Sequence, residues 1–208
     1  MAAVNLRKEL IPDSLWQLLI RLLAMEELAD FFLVGGTALA LRLGHRKSED
    51  IDLFCPHDFN ANVVSEALRD RFKPERLYWE TNTVNAFING IKTDLLTHPY
   101  ALLEDWADVD GIRIASLPDI AAMKLNAISG RGLRKDFWDI AALLELYSLT
   151  EMVGFFQRKY PDTDSWHLLR SLSYFANADA DTTPIHSFTG TTWEQVKHKI
   201  SFALVKLI

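Results

Sequence analysis

The pair Asn89-Gly90, set between Val84-Asn85-Ala86-Phe87-Ile88 and Ile91-Lys92-Thr93-Asp94-Leu95-Leu96, constrains the fold more than any other feature of the chain. A two-residue type I′ turn needs positive φ at both central positions, and Asn-Gly meets that need at little cost. The turn pairs Ile88 with Ile91 and therefore Asn85 with Asp94. Asp94 then stands in a paired strand between Thr93 and two leucines, where an acid makes little sense unless its face is functional.

The elements around this hairpin follow from periodicity. Leu15, Leu18, Leu19, Leu22 and Leu23 recur at helical spacing behind Ser14, which reads as the N-cap. Phe31-Phe32-Leu33-Val34 is a short buried strand ended by the tight turn Gly35-Gly36, and the good helix formers of Thr37–Leu43 form a helix that closes at Gly44. Asp50–Phe54 alternates as a strand, Asn60–Phe72 is helical, and Leu77–Glu80 is a further strand. From Pro118 onward the pattern is helical: Asp119–Ser129, Asp136–Tyr147, Glu151–Tyr160, Trp166–Tyr174 and Trp193 to the end. Ala176–Gly190 reads as a loose segment. The class is α+β, with a small, mainly mixed sheet flanked by helices and a C-terminal helical half. The expected division is a core over 1–117 and a helical subdomain over 118–208 packed on it.

Composition narrows the chemistry. With 208 residues, 49% of them hydrophobic, the chain buries roughly 70% of its unfolded surface without disulfides or structural metal. Cys55 is its single cysteine and reads as a packed, inert thiol in a reducing compartment. The six histidines lack zinc-ligand spacing and read as surface or capping residues. A net charge of −6 excludes a general polycationic surface but leaves room for local basic patches. Met1–Lys8 holds no signal-type apolar core, and no apolar stretch reaches membrane-spanning length, so the expectation is cytoplasmic and without membrane contact.

Asp50 and Asp52 leave one face of their strand roughly 6.5–7 Å apart while Ile51 and Leu53 point into the core. Such carboxylates suit hard divalent cations, with Asp94 as the third member of the set. An isolated D-x-D is usually the solvated face of an edge strand. Here Gly35-Gly36-Thr37 ends a strand and opens a helix, which turns backbone N–H groups and a helix dipole to the same sheet edge as a phosphate cradle.

Gly35-Gly36-Thr37, twelve intervening residues and Asp50-Ile51-Asp52 together resemble the first motif of the DNA polymerase β-like nucleotidyltransferase superfamily. The longer wording, Gly35–Leu41 through Gly44-His45-Arg46 and Ser48 to Phe54, is similar to the AbiEii/AbiGii nucleotidyltransferase toxins of abortive-infection systems. Asp119–Ile128 with Arg131, and Lys135-Asp136-Phe137-Trp138-Asp139-Ile140, resemble that family's later lysine and aspartate motifs. The resemblance implies a nucleotidyltransferase fold and transfer of a nucleoside monophosphate from an NTP, with release of pyrophosphate. It gives Asp50, Asp52 and Asp94 to magnesium (or manganese) and to catalysis. Gly35, Gly36, Thr37, Lys124 and Asp136 go to the nucleotide, Asp136 either orienting Lys124 or touching substrate.

The basic residues Arg42, Arg46, Lys47, Arg131, Arg134 and Lys135 flank these motifs and are expected to contact phosphate or RNA. The implied acceptor is RNA, with the tRNA 3′ end first and protein hydroxyls as the alternative. The implied partner is an antitoxin. A noncatalytic module that senses nucleotide or binds a partner on the same fold is the rival reading. The apolar stripe Trp193, Val196, Ile200, Ala203 and Leu207 on the last helix is expected to pack into the core, with a partner surface second.

Overall fold

The computed structural model describes residues 5–207; the first four residues, where a signal-type core was not expected, and Ile208, at the end of the last predicted helix, lie outside the described residues. In chain order the elements are α1 (Asp13–Leu23), β1 (Phe32–Leu33), α2 (Gly35–Leu43), β2 (Ile51–Cys55), α3 (Ala61–Phe72), β3 (Arg76–Glu80), β4 (Thr83–Ile88) and β5 (Ile91–Thr97). They continue with β6 (Ala107–Val109), β7 (Ile112–Ile114), α4 (Leu117–Gly130), α5 (Arg134–Leu143), α6 (Leu149–Lys159), α7 (Ser165–Leu172), α8 (Ala176–Ala180) and α9 (Trp193–Val205). Two short 3₁₀ turns, Lys8–Leu10 and Glu26–Leu28, flank α1. The described chain divides into two compact units, one of residues 1–42 and 48–116 and one of residues 43–47 and 117–208. A single cut near residue 117 does not anticipate that residues 43–47 belong with the helices.

The first unit is built on a seven-stranded sheet among the described residues, in the order β3-β4-β5-β2-β1-β7-β6. It is mixed, as expected for the α+β class: β2 runs parallel to β5 and β1 parallel to β7, while the other pairs are antiparallel. The hairpin has the register that its turn dictates, with Ile88 opposite Ile91 and Asn85 opposite Asp94. Asn89 at φ 52° and Gly90 at φ 74° supply the positive angles. Along β4, β2 and residues 91–95 of β5 burial alternates. Val84, Ala86, Ile88, Ile91, Thr93, Leu95, Ile51, Leu53 and Cys55 are buried on one face, where α3 packs on β3 and β4. Burial and the field of Asp30 push the Cys55 thiol above its ordinary value, as an inert core cysteine requires.

Two expectations need correction, and one hairpin was not expected. Ser14 is not the N-cap of α1; Pro12 is, its carbonyl accepting from Leu15 and Trp16 while its own ring nitrogen has no proton to satisfy. The strand at β1 is only Phe32–Leu33; Val34 still donates to the Asp52 carbonyl at 2.9 Å, and the chain turns at the next residue, Gly35. The hairpin β6–β7 was missed, although Val109-Asp110-Gly111-Ile112 carries a turn signal of the same kind as Asn89-Gly90.

In the helical unit, Lys159 at the end of α6 reaches Asp119 in the first turn of α4 at 2.7 Å, both fully buried. Trp193, Trp138, Phe137 and Phe175 form an aromatic cluster that joins α9, α5 and the start of α8. Val196 and Ile200 are fully buried, so the stripe on α9 packs inward at these positions. Of the segment expected to be loose, residues 176–180 form α8, whose carbonyls at Ala178 and Asp179 accept from Arg134, and Asp179 accepts from the Trp193 indole at 2.7 Å; residues 181–190 carry no helix or strand. Among the described residues no helix is long and apolar enough to cross a membrane.

A Cβ added at Gly90 meets nothing within 4 Å, so backbone strain alone sets the cost there. Gly90→Ala is expected to destabilise the fold by about 1–2 kcal/mol, read as a shifted urea midpoint with unchanged slope.

Candidate active site

The site in the first unit is assembled by two strand pairings and one turn. The parallel pairing of β2 with β5 places Asp52 directly opposite Asp94. The antiparallel pairing of β1 with β2 ends at the Val34–Asp52 hydrogen bond, and the next residue, Gly35, reverses the chain at φ 72°. A Cβ there would stand 2.2 Å from Asp52 Oδ2. Only glycine therefore allows the N-terminus of α2 to lie against the Asp52 carboxylate. The first turn of a helix leaves N–H groups without intrahelical partners, so Gly35, Gly36 and Thr37 bring anion-binding backbone to the rim that carries the carboxylates.

Thr37 works differently from its expected role. Its side chain is fully buried; the hydroxyl lies 3.0 Å from Ser48 Oγ and donates to the Asp50 carbonyl. It holds the backbone at Asp50 from inside, and what Thr37 offers a phosphate is its N–H. Ser48, quoted among the sequence motifs but given no role, is its partner.

Asp94 accepts from Asn85 Nδ2 at 2.9 Å across the hairpin and is ion-paired with Lys92, two residues earlier on the same face of β5. Burial alone pulls the Lys92 ammonium down, but the hydrogen bond and charge of Asp94, with the fields of Asp52 and Asp50, outweigh it and hold the group above its usual value. Lys92 thus senses all three predicted carboxylates. Sequence reasoning missed it, although its two-residue spacing from Asp94 was a sufficient signal.

Among the described residues no group of three His, Cys, Asp or Glu side chains forms a ready-made metal cage. Magnesium takes one or two carboxylates and completes its shell with water and substrate phosphates. The all-oxygen donor set of Asp52 and Asp94, on adjacent strands and about 5 Å apart in the pairing direction, fits such an ion.

The remaining predicted residues lie in the helical unit, apart from Arg42, whose guanidinium donates to the Ala115 carbonyl at 2.8 Å in the first unit. The helical unit is organised by Asp139, fully buried, which accepts from Arg46 Nε at 2.7 Å and Arg46 Nη2 at 2.9 Å. Lys124 Nζ at 2.7 Å and His45 Nε2 at 2.7 Å complete its partners, and His45 Nδ1 is buried without one. Desolvation works against the charged carboxylate, yet Arg46, Lys124 and His45 hold it well below the ordinary carboxyl range. Asp136 accepts both arms of Arg131, at 2.8 and 2.9 Å, and Lys124 at the longer distance of 3.5 Å.

These contacts revise several expectations. Lys124 is almost wholly buried and bound to two carboxylates, and its nearer partner is Asp139, not Asp136. Arg46 is not a surface phosphate contact: it is 6% exposed and chelated by Asp139. His45 is a buried core residue, not a surface or capping histidine. Arg134 is bound to carbonyls of α8 and lies over the Trp193 ring, and Lys47 donates its N–H to the His186 carbonyl.

Two outcomes follow from this geometry. Gly35→Ala is expected to abolish nucleotide binding, measured by titration calorimetry, because the added methyl displaces the Asp52 carboxylate. Asp139→Asn removes the buried carboxylate that Arg46 and Lys124 share, leaving Lys124 its longer contact with Asp136, and is expected to cost about 3–5 kcal/mol in denaturant unfolding. The folded state keeps Asp139 ionised below the unfolded carboxyl value of 3.8, so its stabilisation is complete above that pH and is lost as pH falls through the depressed value. Acid unfolding of the variant is expected to show a shallower dependence over that range.

Comparison with known proteins agrees with this architecture. A protein of Aquifex aeolicus (strain VF5), aq_aa25, described as uncharacterized, is 34% identical over 174 residues, covering 81% of this chain and 83% of its own. The crystal structure of JHP933 from Helicobacter pylori superposes with a TM-score of 0.54 at 17% identity, covering 95% of this chain and 93% of that one. MenT4, a nucleotidyltransferase toxin from Mycobacterium tuberculosis H37Rv, gives 0.52 at 14% identity over 89% of this chain and 82% of its own. Both likenesses are of fold. The family model for the nucleotidyl transferase AbiEii toxin of type IV toxin–antitoxin systems matches residues 17–76 and 86–195, and the chain belongs to this nucleotidyltransferase toxin family.

Proposed function

We propose that this nucleotidyltransferase moves a nucleoside monophosphate from a magnesium-bound NTP to a hydroxyl at the 3′ end of an RNA, tRNA foremost, as the toxin of a pair restrained by a cognate antitoxin. The observation that carries the reading is the convergence at Gly35: the N-terminus of α2 meets the Asp52 carboxylate, which itself stands opposite Asp94. A phosphate cradle and a carboxylate pair at one sheet rim suit phosphoryl chemistry better than general sensing.

Asp50 and Asp52, with Asp94, would hold magnesium, which supplies charge neutralisation at the phosphates and lowers the pKa of the attacking hydroxyl. The backbone of Gly35, Gly36 and Thr37 orients the triphosphate, and the buried Thr37–Ser48 pair keeps the Asp50 backbone in place. The acceptor oxygen bonds to the α-phosphorus as the bridge to the β-phosphate breaks. Asp94 takes the hydroxyl proton and pyrophosphate departs with the bridging oxygen. Lys92 contributes a fixed positive charge beside Asp94.

The test is incubation of the purified protein with each α-labelled NTP, magnesium, and either total RNA or total protein. Label is expected in the RNA pool, and Asp52→Asn is expected to reduce it by at least about a hundredfold with an unchanged thermal midpoint. Label in protein alone would assign the acceptor to protein hydroxyls. Label in neither pool from folded protein would favour a noncatalytic module.

A further inference from the structure

The strand register extends the carboxylate rim into a second surface. Asp52 pairs with Asp94, Asp94 with Asn85 and Asn85 with Tyr78, so these four side chains stand in one row on one face of the sheet. The adjacent row on that face is Lys92, Phe87 and Arg76, likewise directly paired. The face opposite carries the core, whereas Thr83, Asn85, Phe87, Lys92, Asp94, Asp52 and Phe54 all retain solvent contact. The surface ends on the edge strand β3, where Tyr78 is 57% exposed and Arg76 is exposed over the Phe87 ring, its guanidinium carbon 5.6 Å from the centroid.

We infer that this face, from Asp94 outward through Asn85, Phe87, Arg76 and Tyr78, is a binding track for the single-stranded 3′ end of the acceptor RNA. The inference rests on the transfer reaction proposed above and locates its acceptor. Its chemistry is that of single-strand recognition: aromatic rings on which bases stack, interleaved with cations for the backbone and an amide for a base edge. Tyr78 and Phe87 are the rings, Arg76 and Lys92 the cations, and Asn85 the amide. Arg76, exposed at the outer edge of the track, offers the backbone its cation, while Lys92 is ion-paired with Asp94 and the Tyr78 hydroxyl donates to Glu80. The track is continuous with the reacting centre. Tyr78 stands three strands from Asp52, about 14 Å across the sheet, so a strand lying on it delivers its terminal hydroxyl to the carboxylates. An acidic chain with net charge −6 binds RNA by such a local track and needs no general basic surface.

The test is fluorescence anisotropy of a short single-stranded oligoribonucleotide with a free 3′-hydroxyl, alongside calorimetric binding of a nonhydrolysable NTP with magnesium. Tyr78→Ala is expected to weaken oligonucleotide binding about tenfold. Arg76→Gln is expected to weaken it as well and to reduce the slope of log affinity against log salt by about 0.7. Both variants are expected to keep the NTP affinity and thermal midpoint of wild type, because both positions are exposed on an edge strand. Wild-type protein that fails to bind the oligonucleotide, or variants that bind it as wild type does, would overturn the inference. Wild-type protein that binds RNA through these residues yet transfers no label to it would leave the track standing and sink the proposed reaction.

Discussion

The parallel pairing of β2 with β5 is the constraint on which the candidate site depends. A parallel pair cannot be closed by a short turn, so the chain makes its crossover through α3 and β3–β4 before β5 returns beside β2. The pairing register alone puts Asp52 against Asp94; a slip of one residue would send one carboxylate into the core. Buried Ile51, Leu53, Thr93 and Leu95 on the opposite face prevent that slip. The same strand, paired on its other side with β1, delivers Gly35 to the Asp52 carboxylate. Hydrophobic alternation, which is a folding device, thus sets the geometry of the charged face.

The helical unit is organised by charge as well as by apolar packing. Burying Asp139 with Arg46, Lys124 and His45 is weak evidence for net stability, since desolvation offsets much of the attraction. It does specify an arrangement, because each partner removed leaves the others uncompensated. Asp139 joins residues 45–46, α4 and α5, and the antiparallel contact of Arg46 with Ser187 adds the segment before α9. Gly44-His45-Arg46 therefore has a structural use within this unit, distinct from the phosphate contact expected of Arg46.

Much of the first unit was legible because its signals were local. Asn89-Gly90 set the hairpin register, alternation set the faces of β2 and β5, and Gly35-Gly36 marked the turn into α2. What escaped was set by tertiary context. A buried salt cluster among residues 45–46, 124 and 139 has no periodicity to betray it, and a buried histidine resembles an exposed one in sequence. Trp193 and Arg134 order residues 176–180 by reaching them from elsewhere in the chain, so composition alone read that segment as loose. Lys92 and β6–β7 are different in kind: their spacing and turn chemistry are present in the sequence and need no tertiary context to be seen.

In the proposed reaction the α2 N-terminus and the Asp52–Asp94 pair act as one site for a metal-bound triphosphate. The most direct measurement is a manganese titration followed by electron paramagnetic resonance, with and without a nonhydrolysable NTP, on wild type and Asp94→Asn. Manganese binding is expected to tighten when nucleotide is present and to lose that coupling in the variant. Manganese binding that ignores nucleotide, or that is the same in Asp94→Asn, would contradict the proposed site.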